Sequence, residues 1–495
     1  MICSKVKQIR PYHIALFILL TLGVLSPIVY FVPRGGWDVG PTKIKFLTME
    51  KFLHPPKQVK KDISDVIKMD TSLTADPIEL IKHRNDSQGD MGAPGGGTFE
   101  VENATELLMS GDGKQKLHQF FEVLSGVVSA KEKISILHYG DSQIEGDRIT
   151  GFIRERIQSQ FGGNGPGLIP ATNVYNTYAF NQSYSKNFER YACFMDVQRI
   201  KSSKYGNLGS ASRFTPEYEN PDSILPYLEE KQGWIEVSSS NRAYTRARSF
   251  NNVRMHYNDC VAPVFLRVYE NGNVIHEDSL IQDGNQHSVL LTFPETPGKL
   301  KFEFSGKISP NVCGFSLEGD YGVQVSNIAM RGSSGYVFGR MAGGPMSTMF
   351  SELNSKMVIL QFGGNSVPTF KDSAGVVGFS YSFKNIIRTV QRMNPNAVIM
   401  VVGPSDMSYS DEGVFKTYEL LPYCIEQMIE RTKEAGAVYW NLYAAMGGYG
   451  SMHAWVEKGW AGSDHIHFTG GGTKVASQMM YGAIMLEYKK WKGEE

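Results

Sequence analysis

"KISILHYGDSQIEGDRITGFIRERIQSQFG", residues 133–162, decides the fold. Its first eight residues form a short apolar run, which reads as a β-strand. Gly140-Asp141-Ser142-Gln143 then turns the chain. After the turn, Ile149, Phe152, Ile153 and Ile157 recur at helical spacing with charged residues between them. That pattern predicts a helix whose charged positions form its solvated face. Strand, tight turn and helix make the first unit of a layered sheet. A serine in such a turn can cap the helix, line a phosphate loop or act as a nucleophile. The rest of the chain has to choose among these.

Working outward, the same rhythm returns after 326. "KMVILQFGG" (356–364), "NAVIMVVGP" (396–404) and "GAVYWNLY" (436–443) are apolar strand candidates. "SYSFKNIIRTVQRMN" and "YELLPYCIEQMIERTKEAG" lie between them with helical periodicity. Upstream, "TELLMSGDGKQKLHQFFEVLSGV" reads as helix, with Leu117, Phe120, Phe121 and Leu124 on one side. Apolar strands alternating with helices predict a parallel sheet covered on both faces.

Residues 171–325 differ. Val264, Leu266 and Val268 alternate inward before an Asn271-Gly272 hairpin signal, and Leu300, Phe302 and Phe304 alternate likewise. Strands so closely spaced predict a β-sandwich or jelly roll. The expected organisation is one α/β domain in two parts, 101–170 and 326–495, with a β-rich module inserted at 171–325.

The N-terminus carries its own signal. Residues 14–32 hold no charge, and Lys5, Lys7 and Arg10 precede them. Nineteen residues at ~1.5 Å each reach about the 30 Å of a bilayer core. We read 11–32 as an uncleaved transmembrane signal-anchor and 1–10 as a cytoplasmic basic flank, which sends the rest of the chain outward. A cleaved signal peptide is the alternative. Gly- and Pro-rich "RNDSQGDMGAPGGGTFE" (84–100) closes a stalk spanning 33–100. Fifty basic and fifty acidic residues balance, so no global field favours nucleic acid. Of the five cysteines, Cys260 and Cys313 could bridge within the β-rich region or stay buried thiols. No cluster has metal-ligand spacing, and neither a P-loop nor a dinucleotide fingerprint is present, so no metal or cofactor is expected.

In an open parallel sheet, ligands gather beyond the carboxyl ends of the strands. Gly140–Gln143, Gly332-Ser333-Ser334-Gly335 and Gly363-Gly364-Asn365 stand at such ends, and "GSDHIHFTGGG" brings Asp464 and His467 just before the last helix. Acyl transfer needs a hydroxyl on a rigid turn, an imidazole to take its proton, and a carboxylate to fix the ring. Ser142, His467 and Asp464 are those residue types. Oxyanion donors would be the Ser142 N–H, a glycine N–H and the Asn365 amide. Each has a plainer role: Ser142 as an N-cap, Gly-Gly-Asn as a turn, Asp464 as a local loop anchor. His465 is a rival base, Asp406 a turn residue that could line the pocket, Asp141 a local anchor of the turn, and His138 a packed residue. Trp234, Tyr244 and Tyr257 in the module could stack on sugars or fill its core.

Taken in order, "GDSQ", "RGSSG", Gly363-x-Asn365 and Asp464-x-x-His467 resemble the four blocks of the SGNH (GDSL-type) hydrolases, over 134–170 and about 326–485. The resemblance implies a flavodoxin-like parallel sheet and ester chemistry. It makes Ser142 the nucleophile, Asp464 and His467 its triad partners, and Gly335 (or Gly332) and Asn365 oxyanion donors beside Ser142. Two positions depart from the pattern: Gln143 stands where Leu is usual, and Ser366 where Asp or Glu is frequent. The "GDSQ" form, "FGGNGPGLIP" and the large insert are most similar to bacterial peptidoglycan O-acetylesterases.

The expectation is therefore a single-pass, envelope-anchored serine esterase, facing the periplasm or exterior, acting on an O-acetylated glycan. Its partners would be that glycan and the inner membrane. An O-acetyltransferase with the same triad and a non-catalytic glycan-binding surface protein are the alternatives.

Overall fold

The computed structural model describes residues 106–494, the segments 11–31, 37–39 and 42–44, and scattered positions between 53 and 66. These fall into two compact units, 1–60 with 409–416, and 61–408 with 417–495. In the first, Pro11–Phe31 is a helix (α1), and Trp37–Val39 pairs with Thr42–Ile44. The side chains described in α1, at 12–24 and 27, are exposed, the large apolar Phe17 and Leu19 included. Among the described residues no helix is long and apolar enough to cross a membrane. The basic flank 1–10 and nearly all of the stalk 33–100 lie outside the described residues.

The second unit is built on a six-stranded sheet. Its strands in chain order are β1 (Leu107–Met109), β2 (Lys133–Gly140), β3 (Gly322–Ala329), β4 (Ser355–Gln361), β5 (Val398–Val402) and β6 (Val438–Trp440). In space the order is β3-β2-β4-β5-β6-β1. The pairs from β3 to β6 are parallel and β1 closes the edge antiparallel.

Helices α2 (Gly111–Gly126), α3 (Thr150–Phe161) and α7 (Gly470–Lys492) cover one face. Helices α4 (Gly343–Glu352), α5 (Ser373–Met393) and α6 (Leu421–Glu434) cover the other. Alternate residues of β2 feed the two cores, Ile134 and Ile136 one way, Leu137 and Tyr139 the other. That two-sided burial is why the strand reads as a near-continuous apolar run. The strand order reverses at β2, since β3 lies on one side of it and β4 on the other. A crevice forms outside the carboxyl ends there.

Between α3 and β3 the chain makes a β-sandwich. One sheet runs Asn273–Ser279, Val264–Glu270, Leu300–Gly306, Lys231–Ser239, Phe180–Tyr184. The other is centred on Asn252–Asn258 and Asn311–Glu318. Its strands extend from Gly167 to Glu318. Val264, Leu266, Val268, Leu300, Phe302 and Phe304 fill the core between the sheets. Asn271 and Gly272 take φ of 49° and 91°, the double left-handed turn that a two-residue hairpin demands.

Three expectations need correction. Leu107–Met109, expected as the start of a helix, is the edge strand β1; the helix begins at Gly111. The helix expected directly after the Ser142 turn begins only at Thr150, after a single 3₁₀ turn at Glu145–Asp147 in which Gly146 has φ 72°. Nor is its charged start a solvated face, because Asp147 pairs with Arg154 and Glu145 with Arg331. Of the two alternatives left open for Cys260 and Cys313, the structure shows the second. Both are buried free thiols, donating to the carbonyls of Ala262 and Asn311.

Candidate active site

Gly140 ends β2, and a Cβ there would lie 3.0 Å from the Ile144 side chain and 3.1 Å from the Gln361 carbonyl. The turn is therefore drawn tight over Ile144, which lifts Ser142 clear of the sheet. Ser142 caps no helix: α3 starts at Thr150 without a side-chain cap. Its Oγ lies instead 2.8 Å from His467 Nε2. His467 Nδ1 is 2.7 Å from Asp464 Oδ2. The other carboxylate oxygen, Oδ1, accepts the N–H groups of Ile466 and His467, each at 3.0 Å.

Burial alone would raise the Asp464 carboxyl, but those bonds outweigh it and hold it below the usual carboxylate range. Asp464 stays ionised at neutral pH, which fixes the proton on His467 Nδ1 and leaves Nε2 free to accept from Ser142. Residues 142, 464 and 467 thus form a continuous hydroxyl–imidazole–carboxylate chain. The rival His465 is buried, stacked on His453 at 5.5 Å, and its carbonyl accepts from Ser408.

Two residues that sequence reasoning did not single out as functional hold this chain in register. Gln143 Nε2 donates to the Ile466 carbonyl at 2.6 Å, and Gln143 Oε1 accepts the Phe468 N–H at 3.4 Å. One side-chain amide thereby spans both peptides flanking His467. Arg148 donates from Nε to the Glu145 carbonyl (2.9 Å), from one terminal nitrogen to the Phe468 carbonyl (3.2 Å) and from the other to the Ser142 carbonyl. Gln143 was visible as a departure from the usual leucine, but its partners lie more than three hundred residues away. Nothing local could name them.

Asn365 follows β4. Its Nδ2 donates to Asp141 Oδ2 at 3.1 Å and to the Ser333 carbonyl at 3.2 Å. Asp141 Oδ1 accepts the Gln143 N–H at 2.9 Å, so this aspartate anchors its own turn and the Asn365 amide together. Burial pushes its carboxyl up to about 6. The Ser142 N–H has no protein acceptor among the described residues. Gly335 is buried and does not line the Ser142 cleft, and its N–H donates to Ser333 Oγ at 3.1 Å. Gly332 is exposed, its N–H unclaimed by protein among the described residues.

The cleft over Ser142, about 180 Å³, is walled by Phe362, Pro368, Pro404, Met407, Leu442 and Ile466. Asp406 lies beneath it, fully buried. Its carboxylate accepts from Thr417 Oγ1 (2.8 Å) and the Met452 N–H (2.7 Å), and burial pushes it up to about 7. His138 is packed, 3.0 Å from both Gln361 Oε1 and Thr150 Oγ1, and burial lowers it to about 4. In the module Tyr257 is core, while Trp234 and Tyr244 are partly exposed. Among the described residues no cluster of His, Cys, Asp or Glu is arranged to hold a metal.

Neither a protein-family model nor a curated protein matches the chain. Among solved structures, a peptidoglycan O-acetylesterase is similar with a TM-score of 0.59 at 18% identity, over 77% of this chain and 96% of that one. The fold is shared with that esterase. The likeness is one of fold, and it runs over most of both chains. A family two carbohydrate esterase from Cellvibrio japonicus is matched at 8% identity over 63% of this chain and 99% of that one, with a TM-score of 0.25. An acetyl xylan esterase from the rumen bacterium Butyrivibrio proteoclasticus is matched at 9% identity over 63% and 99%, TM-score 0.23. Superpositions that loose carry no argument.

Proposed function

We propose that this chain is a serine esterase that removes O-acetyl groups from a cell-envelope glycan, peptidoglycan first among the candidates. The observation that carries the reading is the unbroken chain Ser142 Oγ, His467, Asp464, with hydrogen bonds of 2.8 and 2.7 Å. Ser142 Oγ attacks the acetyl carbonyl while His467 Nε2 takes its proton, and the imidazolium that forms is stabilised by Asp464. The carbonyl oxygen becomes an oxyanion, received by the Ser142 N–H and by Asn365 Nδ2, which gives up one of its two resting bonds. Collapse breaks the bond to the sugar oxygen, which takes the proton from His467 and leaves acetyl-Ser142. Water, losing a proton to the same nitrogen, attacks that ester; acetate departs and Ser142 recovers its proton.

Hydrolysis is favoured over transfer to a second sugar by one feature. The side chains of His467 and Asp464 are 39% and 49% exposed, so water reaches the acyl-enzyme freely. The envelope location rests on the uncharged span 14–32 after a basic flank, which favours an anchor in the membrane with the catalytic unit outside.

The test is acetate release by the full chain in detergent micelles from O-acetylated peptidoglycan, beside acetylated xylan. Faster release from peptidoglycan is expected. Release from xylan alone moves the substrate elsewhere, and release from neither, with acetyl group appearing on an added glycan acceptor, favours the transferase.

A further inference from the structure

We propose a second subsite, for a carboxylate, in the seam between the β-sandwich and the α/β core. A cavity of about 50 Å³ lies there, with Asp147, Arg154 and Asn327 on the core side and Tyr175, Thr177 and Arg190 on the module side. Its charges do not balance. Arg154 and Asp147 cancel in a two-pronged pair at 2.6 and 2.8 Å. Arg331 lies 5.1 Å over the Tyr175 ring and is neutralised by Glu145. Arg190 has no carboxylate partner among the described residues. Its guanidinium sits 5.2 Å over the Phe194 ring, and its Nε is buried with no hydrogen-bond acceptor.

A largely desolvated cation with an orphaned N–H is costly unless an anion completes it. The fork of a guanidinium matches a carboxylate in particular. Size agrees: the cavity has room for a group of a few atoms. Gly146, which lines it, belongs to the turn that follows Ser142, where the Glu145 N–H donates to the Ser142 carbonyl at 3.3 Å. A glycan with its acetyl ester at Ser142 would direct an acidic substituent into the seam. Naming that substituent as part of the substrate rests on the esterase reading; the anion site itself does not.

Titration calorimetry of the full chain in detergent micelles with N-acetylmuramic acid, muramyl dipeptide and the methyl ester of each tests this. At least one acid should bind about tenfold tighter than its own ester, roughly 1.4 kcal/mol. Arg190→Met should abolish the difference. Which acid gains tells whether the carboxylate sits on the sugar substituent or on the peptide. Equal binding of acid and ester by the unaltered chain, or no binding of either acid, overturns the subsite without reference to any variant. So does a folded Arg190→Met protein that keeps the preference. No arm depends on turnover, so failure here and failure of the esterase reading remain distinguishable.

Discussion

Gln143 does what the leucine usual at that position could not, because only an amide can donate to one peptide flanking His467 and accept from the other. Gln143→Leu should lower kcat by about 10 to 10²-fold with KM little changed, since a base misplaced by an ångström costs that much. A fall in thermal stability with kcat intact would make Gln143 merely structural. Asn365→Ala should cost about 10²–10³-fold in kcat, measured on a chromogenic acetyl ester.

Asp406 gives a prediction of opposite sign to the usual carboxylate. Its folded pKa of about 7 exceeds the unfolded value of 3.8, so the native state holds the extra proton. Its contribution is present in full below the unfolded value and is lost as pH rises through about 7. The melting temperature of the unaltered chain minus that of Asp406→Asn should therefore fall between pH 4 and pH 8; a constant difference contradicts this. The triad was legible because Asp464 and His467 share one loop. The Gln143 and Arg148 clamps were not, because their acceptors are carbonyls, which any residue supplies. Gly332 and Gly335 are not told apart by spacing, and both take a positive φ, 71° and 89°.

Among the elements, the buried strands β2, β4 and β5 were legible from apolar runs alone, and the module hairpin from Asn271-Gly272. Edge strand β1 was not: Leu107–Met109 runs straight into the amphipathic α2, and three residues carry no period of their own. The link between core and module was visible as "FGGNGPGLIP" without its reason. At Gly163 and Gly165, φ is 108° and 87°, and an added Cβ would lie 2.3 Å from the Val323 carbonyl oxygen and 2.2 Å from that of Leu317. The loop thus threads between β3 and the module strand Asn311–Glu318 with room for backbone only. Gly165→Ala should destabilise the chain by about 2 kcal/mol or more in denaturant unfolding, from strain and overlap together. An unchanged midpoint would show that the seam yields.

For the whole molecule, fifty basic and fifty acidic residues balance, so no global field draws the chain toward a polyanion or a polycation. The proposed anchor predicts that the full chain stays with membranes through alkaline carbonate extraction; release to the supernatant would point to a cleaved or peripheral N-terminus. The central claim, that Ser142 is a nucleophile activated by His467, is tested most directly by labelling the folded full chain with a fluorophosphonate and mapping the adduct by mass spectrometry. The account predicts one adduct, on Ser142, absent from the Ser142→Ala protein and strongly reduced in His467→Ala. A folded chain that stays unlabelled at Ser142, or is labelled there equally well without His467, would contradict it.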